Sequence, residues 1–350
     1  MKKISILFLV LLLVFSLVGC KDTKYEPQTS TDEESRVMMR LRYNNSTYEV
    51  RYELYRAFYL NLRSDYPEGT LSDSDAEELE ERVLRQIYLL YSTLAMCESL
   101  GYDVYDAETE EKIQDFITVS VEGGYLGSTY IEGYGSYEEY LASLKELNMN
   151  YAVQTLIFRY SIAKTLIDEH YRSENGIYGD VTREDVEDFY LSENTGRYLT
   201  LYLAKQNFTY ERAVEIAQTL RMQSDEDAVF SKMVNYSAMN LETLRAGQII
   251  TPYNLDALTY ATLTEVASTL NEGEISEPVA LYNSQNDGYI ILYKADKSAD
   301  HLNENYDSIV EEYVNDQSGK MLSEIYESMQ ESVTFYPIYE TLDRESIRMN

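Results

Sequence analysis

YLTLYLA, Tyr198 to Ala204, decides how this chain is read. It follows Gly196, where the texture of the sequence changes, and its run of bulky apolar residues predicts a short strand. Helices are predicted from about Tyr210 to Met222 and from roughly Asp225 to Asn235. Gln285-Asn286-Asp287-Gly288 reads as a turn, and Tyr289 to Lys294 (YIILYK) as a buried strand. Strand and helix alternating across 196–297 predict a compact α/β or α+β module.

Upstream, from about 46 to 194, the pattern is helical. Leu79, Val83, Ile87, Leu90, Leu94 and Cys97 recur at helical spacing and predict one long amphipathic helix. Leu100-Gly101 stops it, because Gly supplies a left-handed cap. Asp106 caps a helix carrying Ile113, Phe116 and Ile117, and Ser136 with Glu139 opens another through an S-x-x-E capping box. Between them, Gly123 to Gly135 reads as a Gly- and Tyr-rich loop. Thr182 with Asp185 starts a shorter helix ending near Asn194. After Asp300 the pattern returns to helix, with Tyr306, Val310, Val314, Met321 and Ile325 along one stripe, and Val333 to Tyr336 reads as a strand.

The N-terminus gives an address. Lys2 and Lys3 precede an apolar run, Ile4 to Val18, that ends in Leu17-Val18-Gly19-Cys20. Charge, apolar run and small residues before a cut make residues 1–19 a secretory signal. The run is short for a bilayer span, which needs ~20 apolar residues. The L-V-G-C string resembles the bacterial lipobox, which implies acylation of Cys20. Residues 20–43 are then expected to be a lipidated, disordered tether, on the polar composition of Lys21 to Arg36. The expected location is the outer leaflet of a bacterial cytoplasmic membrane, with a Gram-positive type of envelope favoured.

The formal charge of −32 excludes nucleic acid as a natural partner, since phosphate binding needs clustered Lys and Arg. With Cys20 lipidated, only Cys97 remains, so neither an internal disulfide nor a Cys-based zinc site can form. No calcium-loop, G-x-S-x-G, H-E-x-x-H or P-loop spacing occurs, and no metal or cofactor is expected. His170 reads as a half-exposed residue at a helix end, and His301 as a solvated residue in a polar linker.

Three segments of the first region, Tyr48 to Tyr66, Glu80 to Tyr102 and Ser136 to Met149 (SYEEYLASLKELNM), resemble the N-terminal chaperone domain of PrsA- and SurA-type extracytoplasmic foldases. Three in the second resemble a parvulin-type prolyl isomerase domain, of the FKBP-like superfold. These are Ala213 to Ser237, Leu270 to Val279 (LNEGEISEPV) and Gly288 to Lys294. The resemblance implies a mainly α chain with an inserted α+β module. A SurA-N-like domain would span 44–194, completed by 300–350, around a parvulin-like domain at 196–297.

The same resemblance marks what is missing. Parvulins place two histidines side by side beneath the bound proline, and those slots fall at Leu201 and Ile290. Asn240 to Gly247 (NLETLRAG) replaces the family's Gly-Gly-Asp-Leu-Gly loop, and the proline-pocket positions fall at Ile249 or Ile250 and Tyr253. Apolar slots complete a core rather than a polar centre. The expectation is therefore a membrane-tethered, ATP-independent chaperone for unfolded or newly exported proteins, with an inactive isomerase-like domain. The alternatives are a binding or structural lipoprotein of an envelope complex and an active isomerase, and a homodimer is left open. With 35 Tyr and no Trp, tyrosines are the natural lining of a client groove. The candidates are Tyr52, Tyr55 and Tyr59 on the first helix, and Tyr125, Tyr130 and Tyr134 in the loop.

Overall fold

A computed structural model describes residues 25–26, 28–66, 69–173, 176–237, 239–254, 257–281 and 288–347. Cys20 and the signal lie outside the described residues, as do Gln285, Asn286 and Asp287 of the expected turn. The chain is mainly helical with antiparallel sheets. It divides into two compact units: the residues up to Asp168 with those from Glu324 on, and Glu169–Ser323.

The first unit begins with a strand hairpin, β1 (Val37–Tyr43) and β2 (Ser46–Arg51). Met38, Met39 and Leu41 of β1 are wholly buried. The expectation of a disordered tether through residue 43 is thus corrected, because these side chains are core. The correction extends upstream of β1. Helix α1 (Tyr52–Arg63) has no side-chain N-cap. Its first N–H groups instead donate to the segment before β1, Tyr52 N to Arg36 O at 2.9 Å and Glu53 N to Glu34 O at 3.1 Å. A helix start leaves such donors unsatisfied, and the polar segment is held in place by meeting them.

Helix α2 (Asp73–Ser99) carries the predicted stripe, with Leu79, Val83, Ile87, Leu90, Leu94 and Cys97 each no more than 3 % exposed. Burial pushes the Cys97 thiol up to about 11, which leaves it an inert apolar residue. The helix ends in a Schellman motif. Gly101 takes φ +88°, Tyr102 N donates to Cys97 O and Gly101 N to Glu98 O. Asp106 caps α3 (Ala107–Glu122) by accepting from Thr109 N at 2.8 Å.

The expected loop at 123–135 contains a hairpin, β3 (Gly124–Leu126) and β4 (Thr129–Ile131). Gly127-Ser128 forms its two-residue turn with Gly127 at φ +59°, a connection that Gly permits. Ser136 Oγ then accepts from Glu139 N to open α4 (Tyr137–Glu146), and α5 (Tyr151–Arg172) follows.

In the second unit, α6 (Ile177–Asp180) precedes α7 (Arg183–Leu191), which has the full Thr182–Asp185 capping box. Next come β5 (Gly196–Ala204), α8 (Tyr210–Arg221), α9 (Glu226–Met233), α10 (Leu241–Ala246) and β6 (Gln248–Ile250). They are followed by α11 (Ala257–Thr269), β7 (Val279–Leu281) and β8 (Gly288–Ala295). The sheet is antiparallel in the order β6-β5-β8-β7. Leu270 to Val279 makes a turn with Gly273 at φ +82° that hydrogen-bonds back onto β8. Two helices complete the unit: α12 (Ala299–Glu304) and α13 (Tyr306–Ser332) as far as Ser323. The expected boundaries therefore shift, and residues 169–194 and 300–323 group with the α+β module. The reason is one cluster in which Val186, Phe189 and Tyr190 of α7 pack with Leu302, Ile309, Val310 and the β6 residue Ile249.

The end of the chain returns to the first unit. β9 (Thr334–Phe335) pairs with β1, making the order β2-β1-β9, and α14 (Pro337–Glu340) follows. Arg344 then grips Glu80 of α2 through Nε at 2.6 Å and Nη2 at 3.1 Å, while Tyr55 and Tyr339 donate their hydroxyls to the same carboxylate. Burial alone would raise the Glu80 carboxyl, but these bonds outweigh it and hold the group below its usual value of 4.5. A lowered carboxyl contributes stability above its unfolded pKa and loses it as the pH falls through the folded value. Glu80→Gln is expected to destabilise the first unit by about 1–3 kcal/mol at neutral pH and to flatten its acid denaturation below roughly pH 4, both read from urea melts.

Candidate functional site

The sheet of the second unit is set by the ladder between β5 and β8. It pairs Leu201 with Ile291 and Tyr202 with Ile290. Side chains alternate across a strand, so the two residues of each pair share a face. One face carries Leu199, Leu201, Leu203 and Ile291 against Ile216 and Leu220 of α8 and Val229 of α9. The other carries Tyr198, Ile290 and Leu292 against Leu263 and Ala267 of α11, with Val279 and Leu281 of β7. Leu201 and Ile290, expected side by side, therefore lie on opposite faces. A register offset of one residue moves a side chain to the far side of the sheet, and register cannot be read from either strand alone.

The Ile290 face is apolar at its centre. Tyr198 Oη donates to Ala267 O at 2.7 Å, and Ile290 and Leu292 are buried. The polar neighbours that β5 offers there are Tyr202, directly opposite Ile290, and Thr200, whose Oγ1 lies 3.5 Å from Gln248 Oε1. These are neutral hydroxyls. Neither is an imidazole or a carboxylate.

The other expected pocket residues are also committed elsewhere. Ile249 packs with α7, α12 and α13, whereas Ile250 packs with α11, on the opposite side of β6. Both are buried, so the expectation that they line a pocket is corrected: each fills a separate core. Tyr253 is 38 % exposed, but its loop is fixed. Thr251 Oγ1 donates to Asp316 on α13, and Asn254 Nδ2 donates to Ile249 O at 2.7 Å and to Glu312 at 2.9 Å. Gly319 of α13 approaches so closely that a Cβ there would stand 1.8 Å from the Tyr253 carbonyl oxygen. The helix backbone lies directly on this loop.

NLETLRAG, in place of the family's glycine loop, forms α10. Its last carbonyls are capped by two side chains that the sequence reading passed over. Arg197 donates from Nε to Ala246 O at 3.1 Å and from Nη2 to Arg245 O at 3.1 Å, and it also grips Glu226 and Asp296 O. Every guanidinium N–H finds a partner, as a side chain only 6 % exposed requires. A cation within an otherwise apolar strand, GRYLTLYLA, was the signal for it. His301, expected to be solvated, is half-buried in α12. Its Nε2 lies 2.7 Å from Ala246 O, which only accepts, so Nε2 carries the proton and Nδ1 accepts from Tyr190 Oη at 3.0 Å. His170 is half-buried near the end of α5, with its ring against Tyr171.

The tyrosine candidates separate. Tyr55 is wholly buried and Tyr59 is 7 % exposed, so both are core and neither lines a groove. Their rings stack at 6.1 Å, with Tyr55 held by Glu80. Tyr52 is half-buried. Tyr125 and Tyr130 are 68 % and 63 % exposed. They stand opposite each other across β3–β4 with ring centroids 5.3 Å apart, and Tyr134 is exposed as well. Among the described residues, no group of three or more His, Cys, Asp or Glu is placed to hold a metal, and no helix is long and apolar enough to cross a membrane.

No protein-family model matches the chain, and no curated protein matches it. Solved structures do. The foldase protein PrsA from Lactococcus lactis is 13 % identical over 87 % of this chain and 96 % of its own, with a TM-score of 0.25. PrsA from Bacillus subtilis is 16 % identical over 85 % and 93 %, also at 0.25. PrsA from Bacillus cereus, described as a peptidylprolyl isomerase, is 16 % identical over 76 % and 89 %, at 0.24. These structural neighbours are PrsA foldases. The overlap is low, and what the chain can do rests on its own residues.

His301 offers a direct check of the α10 cap. Burial pushes its imidazole below the usual 6.5, and the bond to Ala246 O only partly opposes this. A lowered imidazole contributes its full stability above pH 6.5 and loses it as the pH falls towards the folded value. Burial raises the Glu312 and Asp316 carboxyls, which act with the opposite sign. The difference between the wild type and His301→Gln isolates the imidazole. That difference is expected to shrink between pH 7 and roughly pH 5 in paired urea melts.

Proposed function

We propose that this chain is an extracytoplasmic chaperone, tethered by a lipid on Cys20, that holds unfolded exported proteins without ATP. Its isomerase-like unit binds or braces and does not catalyse. The observation that carries the chaperone reading is the exposed pair Tyr125 and Tyr130 on β3–β4. Two large rings held out on a short hairpin give a rigid apolar contact at little entropic cost, with hydroxyl tips that tolerate varied partners. The strong negative charge supports the same reading, since it keeps a chaperone with exposed aromatics soluble and apart from its copies.

The loss of catalysis is supported by the apolar centre around Ile290 and by the fixed loop 251–254 under α13. The tether rests on the signal and lipobox read from the sequence. It would concentrate a weak, multi-point binding surface where clients emerge, which raises effective affinity without new contacts.

Light scattering tests the reading. An unrelated protein diluted from guanidinium is expected to aggregate several-fold less with the full chain at stoichiometric excess. Tyr125→Ser with Tyr130→Ser should lose most of that protection while leaving the fold intact, since both rings are exposed. Full aggregation in the presence of the wild-type chain would overturn the proposal.

A further inference from the structure

The segment before β1 is seated as a ligand would be. Tyr25 stacks on Tyr137 of α4 at 4.9 Å and donates its hydroxyl to Glu122 of α3 at 3.2 Å. Tyr137 Oη donates back to Glu26 O at 2.8 Å. Further along, Ser30 Oγ donates to Glu53, a carboxylate only 7 % exposed, which also accepts from Asn150 Nδ2 at 2.7 Å. Lys145, Arg56 and Asn150 face Gln28 to Thr31 across a cavity of about 160 Å³ that the short side chains of Thr29 and Ser30 leave unfilled.

We infer that this is a peptide-binding groove of the first unit, and that the chain's own residues 25, 26 and 28–31 are its resident occupant. The groove offers an aromatic face at one end, Tyr137 beside Glu122, and a buried acceptor at the other, Glu53. In between is room for a side chain bulkier than those present. The occupant it fits is therefore an extended client segment with an aromatic ring and, at the Tyr25-to-Ser30 spacing, a hydroxyl donor. Ser30 supplies one of the two donors that Glu53 accepts from, so emptying the groove would leave this buried carboxylate with Asn150 alone, and the groove favours being filled by one segment or the other. Because the resident segment is covalently attached, its effective concentration is high, and a client must outcompete it. Client capture would then release residues 25–31 and lengthen the span between the membrane and the first unit. This inference rests on the chaperone reading.

Photo-crosslinking with the full chain in detergent tests it. Benzoylphenylalanine is placed at Lys145, an exposed position on the cavity wall. The probe client is reduced, unfolded α-lactalbumin, and its light scattering is followed in the same samples. In the otherwise wild-type chain the adduct is expected within residues 25–31. Tyr25→Ala with Ser30→Ala, which weakens the resident segment and spares the groove, should raise the adduct with the probe roughly tenfold. Adding Glu53→Gln should reverse that gain. Probe adducts unchanged by Tyr25→Ala with Ser30→Ala would overturn the inference, as would the absence of any adduct within 25–31. Suppressed scattering without a probe adduct at 145 refutes the groove and leaves the chaperone reading standing. Neither suppression nor adduct refutes both.

Discussion

The antiparallel ladder between β5 and β8 is the constraint on which the second unit depends. Once Tyr202 stands opposite Ile290 and Leu201 opposite Ile291, each strand's apolar residues are assigned to a face. α8 and α9 must then cover one side and α11 the other. Arg197, near the start of β5, extends the same constraint to the loops. Its guanidinium ties the start of α9, the end of α10 and the chain after β8 to one strand residue. Burying a cation is costly, and here it is offset because each donor has an acceptor and the charge has Glu226.

In the proposed reading, these assignments leave little for chemistry. Ile290 packs among Tyr198, Leu263, Ala267, Val279 and Leu292, and the loop carrying Tyr253 is held by Asp316, Glu312 and the close approach of Gly319. In the reading proposed above, a centre built this way braces the fold, and binding is assigned to surfaces with exposed aromatic rings and to a groove that holds an extended segment, with the tether setting where both operate.

Much of this was legible where the signal is local. The stripe from Leu79 to Cys97, the caps at Asp106, Ser136 and Thr182, and the stop at Gly101 each depend on residues a few positions apart. The strands YLTLYLA and YIILYK were equally plain. The failures share a different cause. β1 was hidden because Arg40 and Arg42 interrupt its apolar residues and a polar stretch precedes it, while its burial comes from β2 and the distant β9. Tyr55 and Tyr59 resembled groove residues until packing placed them in the core. The faces of Leu201 and Ile290 depend on register, and the burial of His301 depends on Tyr190 and the end of α10. All of these are tertiary facts.

The most direct measurement is the rate of cis/trans exchange at a prolyl bond, followed by NMR in a short proline peptide with substoichiometric full chain. Rotation about that bond faces a barrier of ~20 kcal/mol in water, which an isomerase lowers. If the second unit is a brace with an apolar centre, the exchange rate stays at its uncatalysed value at every chain concentration. A rate rising in proportion to added chain would contradict the account, because it would mean that the hydroxyls of Thr200 and Tyr202, or pocket shape alone, are enough for catalysis.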